Sequence, residues 1–237
     1  MTRIALFALF ALMFASPASA ADGVAATGGL SSRVVEIFLA VTVLSLAPGI
    51  AMMATCLPLI VIVLSILRQG AGLQQSPPNM MIMGVALFLT WFVMEPVFAD
   101  AWTSGVRPML DGVVDQKEGL GRAAAPFADF MRARVNDATL AMLADARGDL
   151  GTLRGDEPPL SLLAPAFALS EIQRAFQIGF VVLLPFLVID LLIASILMAM
   201  GMMMVPPAAV ALPFKLAFFV LTNGWVAVSA ALVRSYG

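Results

Sequence analysis

The sequence consists of long apolar stretches separated by one polar stretch. Apolar side chains dominate residues 34–67, 80–98 and 175–232, whereas residues 100–156 carry more than half of the charged side chains. About 20 consecutive apolar residues allow a helix to cross the roughly 30 Å hydrocarbon core of a bilayer. The pattern therefore predicts membrane-spanning helices on either side of an extramembranous segment.

The first two apolar stretches predict a first hydrophobic helical hairpin, residues 34–99. Pro48, Gly49 and Pro58 interrupt its first half, which we expect to be kinked or broken because proline removes a backbone donor. The connector between the two stretches reads RQGAGLQQSPPN, a composition typical of a loop. The connector residues that we single out are Gln74, Gln75, Pro77, Pro78 and Asn79.

The polar stretch is assigned to a periplasmic segment, residues 100–168. Phe127, Met131 and Val135 follow one another at intervals of four, which predicts one amphipathic helix over about residues 125–146. Residues 169–237 are then a second hydrophobic hairpin, divided into two helices by a turn.

That second turn has an unusual composition, because it reads MAMGMMMVPP between residues 198 and 207. Gly201, Pro206 and Pro207 predict a turn, yet its other side chains are apolar. Non-helical backbone at membrane depth is tolerated only where protein buries it or where it lines a cavity. Two interpretations follow: the methionines close a confined space, or they are ordinary packing filler.

Asp190 and Lys215 are the only charged residues between positions 175 and 232. A carboxylate at bilayer depth costs at least about 2.5–3.5 kcal/mol on insertion scales, so Asp190 must face protein or water. It is either a proton-carrying or gating carboxylate or a structural one paired between helices. Lys215 is the candidate partner, since the two residues lie about equally far from the methionine turn.

Composition supports a membrane protein and argues against an enzyme. The chain is 61% hydrophobic and 12% charged, against roughly 45–50% and 25% for soluble domains. A net charge of −2 gives no reason to expect nucleic acid, and the single cysteine, Cys56, cannot form an internal disulfide. The absence of histidine removes the commonest general base and metal ligand. We expect no catalytic residues, no metal and no cofactor.

The first 20 residues are typical of a secretory signal peptide. Arg3 precedes a short apolar run, and Ala18, Ser19 and Ala20 form an A-x-A site, so we expect cleavage after Ala20. The alternative is an uncleaved anchor. Cleavage leaves residues 21–33 as a periplasmic tail. The connector and the methionine turn then lie on the cytoplasmic side of the membrane, and the polar segment lies on the periplasmic side.

Several stretches resemble one family. They are SLAPGIAMMATC, IVIVLSILRQGAGLQQSPPN, GVALFLTWFVMEPVF, PAFALSEIQRAFQIGFVVLLPFLVIDLLIASILMAMGMMMVPP and ALPFKLAFFVLTNGW. In this order they resemble the FliP family, the flagellar type III export-gate proteins with relatives in virulence injectisomes. The resemblance extends over most of the chain and is weakest in the polar segment.

The resemblance implies an all-α membrane protein that is a pore-forming core subunit of the flagellar protein-export gate. It implies a homo-pentamer within a larger complex that includes FliQ-type and FliR-type subunits and FlhA-type and FlhB-type membrane proteins. Unfolded flagellar subunits would pass through this gate. The assembly would lie in the bacterial inner membrane at the flagellar basal body and project towards the periplasm. By position, the family's methionine-rich gasket corresponds to Met202, Met203 and Met204.

Three positions depart from the family pattern: Leu57 and Pro58 where Thr-Arg is expected, Met80 where glutamine is expected, and Asn223 where aspartate is expected. The main rival function is a secondary transporter or proton channel that uses Asp190. A transporter is expected to have inverted repeats, and the sequence has no convincing internal symmetry.

Overall fold

A computed structural model describes residues 52–73, 76–148, 158–202 and 204–236, with isolated helical positions between 37 and 49. The helices are α1 (Leu57–Gly70), α2 (Asn79–Ala101), α3 (Arg107–Leu110), α4 (Gln116–Arg132), α5 (Asp137–Arg147), α6 (Leu160–Ala199), α7 (Pro207–Leu221) and α8 (Gly224–Arg234). A π-helical turn, Trp102–Val106, joins α2 to α3. The described residues contain helices and no strand, which confirms the all-helical prediction. The predicted signal peptide, its cleavage site at Ala20 and the tail lie outside the described residues.

Two helical stretches are long and apolar enough to cross a membrane. They are Asn79–Leu110 and Leu160–Ala199, and the pair α7 and α8 makes a third if its 56° bend lies within one span. Helix α1 is apolar but has only 14 residues. It begins at Leu57 with Pro58 in its first turn, where proline costs no helical hydrogen bond. Pro58 therefore starts a helix here.

Helix α6 is much longer than the apolar stretch that predicted it. It has 40 residues and begins at Leu160, which corresponds to about 60 Å at 1.5 Å per residue. The boundary expected between residues 168 and 169 falls inside this helix. The hydrophobic pattern did not include the first part of α6, because the polar side chains Glu171 and Arg174 interrupt it.

The single amphipathic helix predicted over residues 125–146 is wrong. The structure has two helices there, because Asn136 adopts an extended backbone and its side chain accepts hydrogen bonds from Ala138 N (2.9 Å) and Thr139 N (3.4 Å). This side chain satisfies free amides at the start of α5 and so begins a new helix. The apolar face itself was located correctly: Met131 is buried and packs with Leu163 and Phe167 of α6.

Helices α1 and α6 run in the same direction and pack closely through glycines. A Cβ atom on Gly179 would lie 2.4 Å from Ile66 Cδ1, and one on Gly70 would lie 2.5 Å from Leu183 Cδ2. Small residues allow such close approach between helices in a membrane. Helix α1 also contacts α2 and is largely buried, so it forms the centre of the apolar core.

The second hairpin has three helices, not the predicted two. Its second arm breaks at Asn223, whose φ of 48° is left-handed, between α7 and α8. Asparagine tolerates this conformation better than most residues because its short polar side chain can bond locally. Gly224 follows, and a Cβ atom there would lie only 2.1 Å from the Phe219 ring.

Candidate functional site

The methionine turn is an ordered helix ending. Gly201 has a φ of 73°, Gly201 N donates to Met198 O (3.0 Å) and Met202 N donates to Leu197 O (3.0 Å). This pair of bonds is the Schellman motif, in which a left-handed glycine satisfies the last carbonyls of a helix. Pro206 then precedes α7, and Pro207 occupies its first position. Backbone geometry thus explains how an almost entirely apolar sequence turns.

The methionine side chains lie outside the small core at the base of the turn. Ile193, Leu197 and Ala211 are buried together where α6 meets α7. By contrast, Met202 is 41% exposed and Met204 is 98% exposed. Met203 lies outside the described residues. Within the described part of the chain, the methionines do not fill the hairpin's own core.

Asp190 and Lys215 form an ion pair between α6 and α7. Lys215 Nζ lies 2.7 Å from Asp190 Oδ2, and the lysine side chain is 12% exposed against 40% for the aspartate. Asp190 Oδ1 is buried and has no hydrogen-bond partner among the described residues. The structure therefore brings together the two charges that the sequence suggested as partners. Their role in assembly or export stays a prediction.

The connector approaches this ion pair from the α1 side. Gly72 has a φ of 77°, and a Cβ atom there would lie 2.8 Å from Leu212 Cδ1 and 4.0 Å from Lys215 Cδ. A side chain at position 72 would thus be both conformationally strained and crowded. The turn after α1 and the Asp190–Lys215 pair consequently belong to one packed region.

Arg68 closes the connector. Its NH1 donates to Asn79 Oδ1 (2.5 Å) and to Pro77 O (3.2 Å), which links the last turn of α1 to the first residue of α2. Two of the connector residues singled out from the sequence, Pro77 and Asn79, are therefore brought together by Arg68, which was not among the residues singled out. Gln74 and Gln75 lie outside the described residues, whereas Pro78 O accepts hydrogen bonds from Met81 N (2.9 Å) and Ile82 N (3.2 Å) at the start of α2.

A buried polar cluster, which sequence reasoning missed, lies at the other end of the fold. We call it the Glu171 junction; its members are Glu171, Arg134, Arg174 and Tyr236. The Glu171 side chain is fully buried, with Arg134 Nε 3.5 Å and Arg174 NH1 3.7 Å from its Oε1. The Tyr236 hydroxyl donates a hydrogen bond to Glu171 Oε2. Two cations and one donor thus compensate the buried carboxylate.

Tyr236 is held in its neutral form by this environment. Burial, followed by the negative charge of Glu171, raises the pKa of the phenol above its ordinary value, so the hydroxyl remains available as a donor. The Arg134 guanidinium lies over the tyrosine ring, and its NH1 donates to Ser235 O (3.0 Å). The junction fastens the turn between α4 and α5, helix α6 and the residues after α8 to one another.

Among the residues that the structure describes, no group of three histidine, cysteine, aspartate or glutamate side chains could hold a metal ion.

Comparison with known proteins agrees with the resemblance read from the sequence. A model of the FliP family matches residues 40–232, which is most of the chain. The chain belongs to the FliP family.

FliP-family relatives from distant bacteria align over most of their length. The flagellar biosynthetic protein FliP of Agrobacterium fabrum is 46% identical over 211 residues, covering 88% of this chain and 86% of the relative. The protein of the same name from Caulobacter vibrioides is 47% identical, covering 88% and 78%. That of Bacillus subtilis is 40% identical, covering 86% and 93%.

The positions that we expected to depart from the FliP-family pattern lie at helix ends. Pro58 lies in the first turn of α1, Met80 follows the first residue of α2, and Asn223 forms the break between α7 and α8. Helix ends tolerate such exchanges because several of their backbone groups have no partner within the helix. The Asp190–Lys215 pair and the methionine turn contain none of these positions.

Proposed function

We propose that this FliP-family chain is a pore-forming core subunit of the flagellar type III protein-export gate. In this role it passes unfolded flagellar subunits across the bacterial inner membrane and is needed for flagellum assembly. Its partners are FliQ-type, FliR-type, FlhA-type and FlhB-type proteins and further copies of itself, in a pentamer at the flagellar basal body that projects towards the periplasm. The family membership and the printed names of the relatives, which all refer to flagellar biosynthesis, support this assignment.

The observation that carries the proposal is the exposure of methionines on a backbone-ordered turn. Gly201 fixes the turn without using any methionine side chain, so Met202 and Met204 are free to contact another surface. Methionine is flexible and polarizable and adapts to varied surfaces. A ring of such side chains, one set from each copy, excludes water from a pore as a hydrophobic constriction does.

A purely structural role for the Asp190–Lys215 pair fits this proposal better than proton transport does. The lysine ammonium lies 2.7 Å from the carboxylate, so the two charges compensate each other and join α6 to α7. The geometry of the pair therefore does not support the rival function, a transporter or proton channel that uses Asp190.

The test replaces Met202, Met203 and Met204 together by glycine and measures small-solute flux across membranes holding matched amounts of assembled gate. Loss of the side chains should let the closed pore fill with water and leak. A triple leucine variant should stay sealed, because leucine is equally apolar, while passing bulky segments less readily. The control is Met80→Gly, an exposed methionine at the start of α2. A triple-glycine gate that is present at normal abundance and does not leak would contradict the proposal.

A further inference from the structure

A groove between α2 and α8 has apolar walls and one charged end. Leu89 and Phe92 line it from α2, and Trp225, Val226, Ala230 and Arg234 line it from α8. Its volume is about 600 Å³, within the roughly 300–1,000 Å³ typical of ligand sites. Its lining contains no acidic side chain. A ligand suited to this groove has a long apolar part and an anionic end.

The groove lies on segments that the hydrophobic pattern assigns to the membrane. Helix α2 belongs to the candidate span Asn79–Leu110, and α8 is the second half of the apolar helix pair that is bent by 56° and ends at Arg234. Apolar side chains that line a groove on such segments gain dispersion contacts from lipid chains in a bilayer. Arg234, at the end of the span, is positioned for the interface, where long basic side chains place their charge.

Arg234 is also free to bind a ligand. It is exposed, and among the described residues it forms no hydrogen bond or ion pair. The other arginines near this end of the fold are engaged, Arg134 and Arg174 both with Glu171. A guanidinium group binds phosphate oxygens through two parallel hydrogen bonds.

We propose that this groove binds an anionic phospholipid, with one acyl chain along the apolar walls and the phosphate on Arg234. The charge of Arg234 makes the site selective for anionic over zwitterionic lipid. Trp225 lies beside the acyl chain and reports its presence. A segment of a second protein chain is the competing occupant, and it would have to bring its own acidic group to Arg234.

The experiment measures quenching of Trp225 fluorescence by brominated acyl chains. The full chain carries Trp91→Phe and Trp102→Phe, so that Trp225 is the one remaining tryptophan, and is reconstituted in phosphatidylcholine vesicles containing brominated phosphatidylglycerol or brominated phosphatidylcholine. We expect stronger quenching by the phosphatidylglycerol. Arg234→Gln should weaken the apparent affinity for it about fivefold, the effect of one basic residue at an anionic surface. Ala230→Phe, which fills the groove, should abolish the excess quenching.

Lys117→Gln is the charge-matched control, because Lys117 lies on α4 away from the groove, and it should leave the quenching unchanged. Equal quenching by the two lipids, or an Arg234→Gln variant that behaves as the parent does, would overturn the proposal. If quenching of Trp225 by both lipids falls as the protein density in the vesicles rises, a second copy of the chain occupies the groove instead. Mass spectrometry of phospholipid retained by the native chain and by Ala230→Phe gives the same comparison without altering a tryptophan.

Discussion

The guanidinium group of Arg134 lies over the aromatic ring of Tyr236, with Cζ 3.7 Å from the ring centroid. The same arginine approaches the fully buried Glu171 carboxylate, to which the tyrosine hydroxyl donates a hydrogen bond. One tyrosine therefore offers its face to a cation and its hydroxyl to an anion. These contacts connect residues that are far apart in the sequence and give the polar segment a fixed place on α6.

Removing only the tyrosine hydroxyl should weaken this junction measurably. Tyr236→Phe keeps the ring under Arg134 but leaves Glu171 without its donor, and loss of a hydrogen bond to a charged group costs about 1.5–3 kcal/mol. Thermal unfolding of the detergent-solubilised chain measures the change. Asp129→Asn is the control, because it breaks an exposed pair with Arg132 and exposed pairs contribute about 1 kcal/mol or less. Equal stability of Tyr236→Phe and the parent would contradict the assignment.

The stabilisation that Tyr236 gives to the Glu171 junction should be lost at alkaline pH. The folded state raises the pKa of Tyr236 above its ordinary value of 10.0, so its contribution to stability is complete below about pH 10. It is lost as the pH rises from there towards the higher folded pKa, since only the unfolded chain can then ionise the phenol. Tyr236 is the only tyrosine, so tyrosinate absorbance reports this group alone. We expect it to appear together with unfolding; tyrosinate formed near pH 10 in a still folded chain would refute the idea.

Reversing the charges of Asp190 and Lys215 together should be less harmful than reversing either alone. Asp190→Lys or Lys215→Asp places two like charges where an ion pair now lies 2.7 Å apart, and leaving a buried charge uncompensated costs about 3–5 kcal/mol. The partial exposure of Asp190 lowers this figure, because screening weakens exposed pairs. The measurements are assembled complex in membranes and swimming motility.

The matched control for this exchange is the exposed pair Arg107 and Asp111, for which single and double reversals should all be nearly neutral. A double exchange at positions 190 and 215 that performs no better than the single ones would show that the pairing has no role in assembly. Full activity of Asp190→Asn would in addition exclude proton transport through this residue.

Gly201 should be replaceable by asparagine but not by alanine or valine. Its φ of 73° is left-handed, and a Cβ atom there would have no neighbour within 4 Å, so the cost is conformational, about 1–2 kcal/mol for an ordinary residue. Asparagine tolerates the same conformation better. Gly112, with a φ of 69° and equally open surroundings, is the control. Gly112→Ala should lower stability by a similar amount without affecting solute retention. Normal solute retention and motility in Gly201→Val would argue against a role for the ordered turn.

The parts of the fold that the sequence predicted are those governed by local patterns. The apolar runs located α2 and most of α6, and the position of Gly201 located the turn. Asp190 and Lys215 could be paired because a hairpin brings together residues at equal distances from its turn. Asn136 was missed because its hydrogen bonds to the next amides override the apolar spacing that continues through Val135.

The Glu171 junction could not be predicted in the same way. Its members come from positions 134, 171, 174 and 236, and helical spacing relates only Glu171 to Arg174, three residues later on the same helix. A signal was present, because Glu171 lies on a largely apolar helix and a carboxylate must find a partner once it is buried. Nothing in the sequence identifies that partner as an arginine 37 positions earlier and a tyrosine 65 positions later.

Because α6 is one continuous helix, a small rotation at one end moves its other end by a larger distance. It carries Glu171 near one end and leads directly into Gly201 at the other, about 45 Å away along the helix axis at 1.5 Å per residue. A tilt of about 5° at the junction would therefore displace the methionine turn by about 4 Å, roughly the width of a methyl group. Pro185 is the proline between them, and a proline allows a helix to kink. A displacement of the polar segment would therefore be transmitted through α6 and would be larger at the methionine turn.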